Sequence, residues 1–169
     1  MNRFTDREDA AKQLTEKIKV KASIITIVLA MLRGGVPLGL TIADEFNIPL
    51  DVILAKKIGH PMNSEIAIGA MAEGGEPLMN DDKHVILVDD GIATGHTMFA
   101  AIESVRSKKS LSISVAVPII PEDTFKALEK VVDNNYYVQI PEAFLGSVSA
   151  YYDNFPQFDS YNVQHLLGK

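Results

Sequence analysis

The sequence predicts an α/β fold, a doubly wound and mainly parallel sheet with helices on its faces. Three observations predict it. Short apolar runs rich in β-branched residues alternate along the chain with segments of helical periodicity, the pattern of strand–helix–strand crossovers, which are right-handed. The strongest run, Val85-Ile86-Leu87-Val88, offers no polar residue to face water on either side, as expected of a strand buried on both faces. Directly after it come two carboxylates, Asp89 and Asp90, and then a turn of small or hydroxylated residues. Buried carboxylates are costly unless paired, so they belong at the strand's carboxyl edge, where open α/β sheets bind ligands.

Each element follows from its own pattern. Thr5-Asp6-Arg7-Glu8 has capping-box spacing and Ala10, Ala11, Leu14 and Ile18 recur at helical intervals, which predicts an amphipathic packing helix over 6–19. A buried central strand over 23–31, dense in Ile, Val and Thr, ends at Leu32-Arg33-Gly34-Gly35. A helix follows over 36–46, with Pro37 in the first turn, where its missing N–H is harmless. A second strand over 50–58 is apolar in the middle and basic at its end, Lys56-Lys57. Residues 59–65 read as a polar loop and 66–72 as a small-residue strand before Glu73-Gly74-Gly75. Beyond the acidic pair, a helix over 98–108 closes on Arg106, Lys108 and Lys109, as the helix dipole favours. A third strong strand covers 111–117, Pro118 and Pro121 bracket a sharp exit, a helix with an acidic first turn starts at Glu122, and a short strand covers 136–140.

Composition bounds the function. The 169 residues fit one domain, 1–169, and 47% apolar with 22% charged residues is ordinary globular usage. A net charge of −6 argues against a nucleic-acid surface, whose affinity comes mainly from Lys and Arg. With no cysteine there is no disulfide framework or thiolate chemistry, and the four histidines lack the spacing of a zinc site. The charged N-terminus does not resemble a signal peptide, and the longest apolar run, 24–32, is too short to span a bilayer. A soluble cytoplasmic protein, with no membrane attachment, is the expectation.

The chemistry concentrates in two places. Gly91, Ala93, Thr94, Gly95 and Thr97 lead into a helix, and such a turn leaves backbone N–H groups ready for an anion. Carboxylates beside a phosphate cradle suggest a ligand with neighbouring hydroxyls and a phosphate, a sugar phosphate. The glycine spacing does not fit the dinucleotide fingerprint and there is no Gly-Lys-Ser/Thr of a P-loop. Arg33 beside two glycines at a strand end either makes a plain turn or brings amides and a cation to an anion.

Val88-Asp89-Asp90-Gly91-Ile92-Ala93-Thr94-Gly95-His96-Thr97 resembles the signature of the type I phosphoribosyltransferases, whose ligand is 5-phosphoribosyl-1-pyrophosphate (PRPP). Lys57-Ile-Gly-His-Pro-Met-Asn-Ser-Glu-Ile-Ala-Ile-Gly-Ala70 and Tyr151-Tyr-Asp-Asn-Phe-Pro-Gln157 are similar to one subgroup, the predicted phosphoribosyltransferases of undetermined acceptor. The resemblance implies that fold, and transfer of the 5-phosphoribosyl group to a nitrogen nucleophile with release of pyrophosphate, the usual chemistry of nucleotide metabolism. It implies that Asp89 and Asp90 hold the ribose 2′ and 3′ hydroxyls and help to place Mg²⁺ through water. Ala93, Thr94, Gly95, His96 and Thr97 would surround the 5′-phosphate, with Gly91 among the PRPP-binding residues. Arg33, Gly34 and Gly35 would form the pyrophosphate loop, in which relatives commonly carry a non-proline cis peptide, expected here near Leu32 to Gly34.

Lys56 and Lys57 resemble the basic pair that helps the pyrophosphate to leave, although adjacent strand residues point to opposite faces and at most one can reach from the strand itself. They also read as a solubilising strand edge. With Arg33, Asp89 and Asp90 they complete the implied catalytic set. His60 reads either as a loop histidine or as a proton donor to pyrophosphate; Asn63 and Glu65 match the subgroup without a derivable role. Relatives carry a long charged segment where this chain has only 76–83, so a reduced lid is implied. 6-Oxopurine transferases place an acidic residue at the position of Ala93, and a methyl group cannot replace it. That leaves adenine, pyrimidines and non-nucleobase amines as acceptors. The tail aromatics either stack on an acceptor base or pack against the sheet edge or a second subunit, and a homodimer is implied. The rival reading is a PRPP-sensing module of the same fold: the short segment favours it, whereas the basic residues beside the glycine loop favour an enzyme.

Overall fold

The computed structural model describes residues 3–20, 25–57, 64–68 and 83–168. Several expectations lie outside these residues: the start of the first strand at Ser23, Ile58, the loop with His60 and Asn63, residues 69–75 and the short segment through 82. Among the described residues the elements run α1 (Arg7–Thr15), β1 (Thr26–Met31), α2 (Val36–Phe46), β2 (Leu50–Lys57), β3 (Ser64–Ile68), β4 (His84–Val88), α3 (His96–Ser107), β5 (Ser112–Ile119), α4 (Glu122–Glu129), β6 (Asn134–Gln139) and α5 (Ser160–Leu166). They form one sheet of order β3-β2-β1-β4-β5-β6. All neighbours are parallel except β2 and β3. The predicted α/β architecture is therefore present, with one antiparallel edge.

The sheet is central because its sequence is apolar on both faces. All six residues of β1 are buried, and β4 buries Val85 to Val88. Ile27, Leu29, Val85 and Leu87 meet Met98, Ala101, Ile102 and Val105 of α3 and Leu128 of α4. On the opposite face Val28, Ile86, Val88 and Ala116 meet Ala10, Ala11 and Leu14 of α1 and Leu38 and Ile42 of α2. Each fully buried Leu, Ile or Val contributes roughly 1.5–3 kcal/mol. Among the described residues no helix is long and apolar enough to cross a membrane.

The boundaries differ from expectation for local reasons. The N-cap of α1 is Asp6, which accepts from the Asp9 amide at 2.9 Å while Asp9 accepts from the Thr5 amide at 2.9 Å. The N-cap thus sits one residue later than the Thr5–Glu8 spacing, and the Asp9 carboxylate returns to Thr5, the residue before the cap, with a carboxylate at the positive end of the helix. The α-helix stops at Thr15 because Lys17 and Ile18 turn to carbonyls three residues back, a tighter turn that keeps Ile18 buried. Gly95 at φ +86 starts α3 at His96, two residues early. Strand β3 begins at Ser64 instead of 66, since the edge of a sheet tolerates polar residues and Lys57 pairs with Ser64. Strand β5 runs through Pro118 to Ile119, and Val117 and Ile119 pair on either side of the proline with Tyr137 and Gln139 of β6. The tail forms α5, capped by Asp159 and Asn162, which composition alone does not predict.

Candidate active site at the carboxyl edge of the sheet

The chain leaves β1 for β2 on one side and returns to β4 on the other, so a crevice opens beyond the carboxyl ends of β1 and β4. Two turns fill its floor. After β1, Leu32 to Gly35 crosses the end of β4 closely enough to require glycine. A Cβ on Gly35 would lie 2.4 Å from the Val88 carbonyl oxygen and 2.8 Å from that of Met31; one on Gly34 would lie 2.0 Å from Asp90 Oδ2. The Leu32–Arg33 peptide is cis, which matches the expectation for this loop. Arg33 is exposed beside the crevice.

After β4 come Asp89 and Asp90, both partly buried. Asp89 Oδ1 accepts from the Asp90 amide at 2.8 Å, and the Asp90 carbonyl accepts from the Tyr152 hydroxyl at 2.7 Å. Burial, and then the neighbouring Asp90 charge, holds the Asp89 carboxyl well above the usual carboxylate range. Burial also raises Asp90, and Arg7 opposes that rise. Burial, and after it the charge of Asp90, likewise pushes the Tyr152 phenol up. The pair therefore favours groups that donate to carboxylates or neutralise them.

Gly91 and Ile92 follow, and the Ala93 carbonyl accepts from Thr124 Oγ1 at 3.2 Å, which ties the turn to α4. Gly95, left-handed at φ +86, is the N-cap of α3 and brings no side-chain cap. The first amides of the helix, at His96 and Thr97, are thus left without a side-chain acceptor from Gly95, and Thr94, His96 and Thr97 are exposed there. Helix starts of this kind can accept an anion on their free amides.

Lys56 and Lys57 lie at the end of β2. Ile53 pairs with Met31, so Lys56 stands three residues farther along, about 10 Å beyond the last residue of β1 at strand rise. Arg33, Gly34 and Asp90 line one crevice; Gly35 and Asp89 adjoin them in the chain, the 93–97 turn follows Asp90, and the backbone of the basic pair follows Leu54, which also lines the crevice.

Sequence reasoning missed the other side of the crevice. Arg7 of α1 donates from Nε to Asp90 Oδ2 at 3.1 Å and from Nη1 to the Pro156 carbonyl at 2.7 Å. Its guanidinium lies 3.9 Å from the centre of the Phe155 ring. The first helix therefore does more than pack, contrary to expectation, because its first residue is carried onto the acidic pair. Arg7, Arg33, Gly34, Leu54, Asp90, and Phe155 with Phe158 line a cavity of about 440 Å³. A signal existed: Arg7 precedes Ala10, Ala11 and Leu14 in the phase of the apolar stripe, where a charge needs a buried partner.

A family model described as phosphoribosyl transferase domain matches residues 2–153. The chain belongs to this family. The phosphoribosyl transferase domain superposes on TT1426 from Thermus thermophilus with a TM-score of 0.83 at 26% identity, covering 98% of this chain and 97% of that one. With a purine phosphoribosyltransferase from Pyrococcus horikoshii Ot3 the TM-score is 0.58 at 25% identity, covering 79% and 81%. A Mycobacterium tuberculosis H37Rv protein named "Putative phosphoribosyl transferase" is 29% identical over 210 aligned residues, which take in 100% of this chain and 47% of the relative. The chain thus spans about half the length of the curated relatives that it matches throughout. The 210 aligned positions exceed the 169 residues by 41, so the relative is longer inside the aligned span.

Proposed function

We propose that residues 1–169 act as one phosphoribosyltransferase domain that uses PRPP and Mg²⁺, transfers the phosphoribosyl group to a nitrogen nucleophile and releases pyrophosphate. The observation that supports this reading is that Arg33 and Gly34 of the glycine loop and Asp90 of the acidic pair line one crevice, with the amide-rich turn that opens α3 following Asp90 in the chain. Each part suits one part of PRPP. The carboxylates accept from the ribose hydroxyls, Ala93 to Thr97 receive the 5′-phosphate on backbone amides and the Thr94 and Thr97 hydroxyls, and Arg33 with Gly34 and Gly35 receives pyrophosphate. Lys56 or Lys57 belongs to the same proposal as a cation for the departing group.

The donor set fits Mg²⁺ held through water. Among the described residues no group of three or more His, Asp or Glu side chains forms a metal cage, and Mg²⁺ commonly keeps its waters and leans on one or two carboxylates plus substrate phosphates. When bound, it would supply charge neutralisation to the pyrophosphate. The chain's own contribution is orientation and fixed charge around a transition state with oxocarbenium character. Ala93 lacks the carboxylate expected for 6-oxopurines, so the acceptor is sought among adenine, pyrimidines and other amines. Work as a cytoplasmic homodimer is part of the proposal and rests on the family alone.

A second reading, a PRPP-sensing module without turnover, is favoured by the 41 aligned positions that this chain lacks. The deciding experiment is pyrophosphate release from PRPP and Mg²⁺ over a panel of nucleobases and small amines, with Asp89→Asn/Asp90→Asn as control. Acceptor-dependent release that disappears in the control supports the transferase. Tight PRPP binding with no release across the panel supports the sensor, and absence of PRPP binding refutes both.

A further inference from the structure

We propose that Arg7 is a positioning residue for the sugar site: through Asp90 Oδ2 it fixes the direction in which Asp90 presents its other oxygen to the ribose. The inference rests on the reading of Asp90 as a ribose ligand. Three observations carry it. Among the described residues the ion pair to Asp90 comes from Arg7, at 3.1 Å, and the two side chains are only 9% and 14% exposed. It is thus unlike a surface pair, whose partners wander and contribute little. Asp90 Oδ2 is also caught from the side of Gly34, where even a methyl group would lie 2.0 Å away. Oδ2 is bound to Arg7 on one side and closed off by the Gly34 backbone on the other, so Arg7 limits how the carboxylate can turn.

Arg7 is itself immobilised. Nη1 is bound to the Pro156 carbonyl at 2.7 Å, and Phe155 and Phe158 flank the guanidinium with ring centres 3.9 and 5.7 Å away. Two bonds in divergent directions and an aromatic face define a planar guanidinium, and an ammonium cannot satisfy all three. The tail thereby acts on the site through Arg7: residues 155–158 hold the arginine, the arginine holds the aspartate, and the aspartate meets the ligand.

The test is calorimetric titration of PRPP with Mg²⁺ against wild type, Arg7→Ala, Arg7→Lys and Phe155→Leu, with melting curves for each. Arg7→Ala is expected to weaken PRPP binding about 10- to 100-fold, the range for loss of a charge-assisted hydrogen bond that orients a ligand group. Arg7→Lys recovers a minor part. Guanidinium ion, at a concentration that leaves the melting curve unchanged, restores binding to Arg7→Ala, and equal urea does not; a merely structural role would show no such selectivity. Should Arg7→Ala fail to fold, Phe155→Leu keeps the ion pair but loosens its seat and is expected to bind PRPP several-fold more weakly. Wild-type binding with unchanged affinity in the folded variants overturns the inference alone. No binding by the wild type overturns the reading of the site, and this inference with it.

Discussion

Gly34→Ala tests the geometry of the crevice most directly. The backbone at Gly34 is not left-handed, so alanine is tolerated by the chain itself, and the damage comes from what the methyl group meets. It would lie 2.0 Å from Asp90 Oδ2 and 2.8 Å from Asp90 Cγ, where real Cβ contacts essentially never fall below 3.0 Å. The carboxylate must therefore retreat by at least 1 Å. Any such retreat draws it away from Arg7, which holds the same oxygen at 3.1 Å. A shift of that size breaks the charge-assisted bond to Arg7, at a cost of about 1.5–3 kcal/mol. If Asp90 is a ribose ligand, the same displacement weakens PRPP binding by about 10- to 100-fold, one decade for each ~1.4 kcal/mol. Titration calorimetry with PRPP and Mg²⁺ measures the affinity and a melting curve measures the stability. Wild-type affinity together with wild-type melting would refute the argument, since the methyl group would then have found room that this packing denies it.

Neighbouring residues of the crevice carry two further predictions. Gly35→Ala should damage the fold before the function, because its methyl group meets the Val88 and Met31 carbonyls of central strands, which cannot step aside. A loss at the upper end of overpacking, about 3 kcal/mol, corresponds to a fall in Tm of roughly 6–12 °C, and a melting curve like that of wild type would contradict it. Asp89→Asn should do the opposite. The raised Asp89 carboxyl means that the folded state holds this proton more tightly than the unfolded state, so its ionisation costs stability above the folded-state value. That cost fades as pH falls through the folded-state value towards the ordinary 3.8. The variant is therefore expected to gain Tm at neutral and mildly alkaline pH, about 2–4 °C for each kcal/mol relieved, to lose the gain in acid, and to lose PRPP binding throughout. A gain that grows on acidification would reverse the assigned sign.

The parts of the site legible in the sequence are those whose chemistry is local. Asp89 and Asp90 come directly after a run buried on both faces, and the residues proposed to receive the phosphate lie within the next seven positions, so spacing alone placed them at a strand end and a helix start. The central strands, α2 and α4 were legible for the same reason, since apolar periodicity and proline or glycine boundaries are short-range signals. Arg7 and Phe155 were not. Their role depends on a contact across 149 positions, Arg7 to Pro156, and no short window contains both partners. The N-cap of α1 slipped by one residue because Thr5 and Asp6 both suit an N-cap, with Asp ranked above Thr. Helix α5 escaped prediction because, among its residues, Val163 is the one that is fully buried, too few to mark a stripe.

The clasp between the beginning and the tail of the described chain has a kinetic side. Phe4 forms a parallel bridge with Tyr152, Arg3 binds the Ala150 and Tyr152 carbonyls, and Arg7 binds that of Pro156. These are among the most remote contacts in sequence that the fold makes, and remote contacts are closed late because loop closure must be accomplished before they return any energy. The strand ladders need no such reach between β1 and β2 or between β4 and β5. Arg7 reaches Asp90 only in a chain whose two remote ends are joined, so the acidic pair depends for its cation on the whole span between them. Ligand binding is then expected to report closure of the whole chain, and formation of the sheet alone would not confer it.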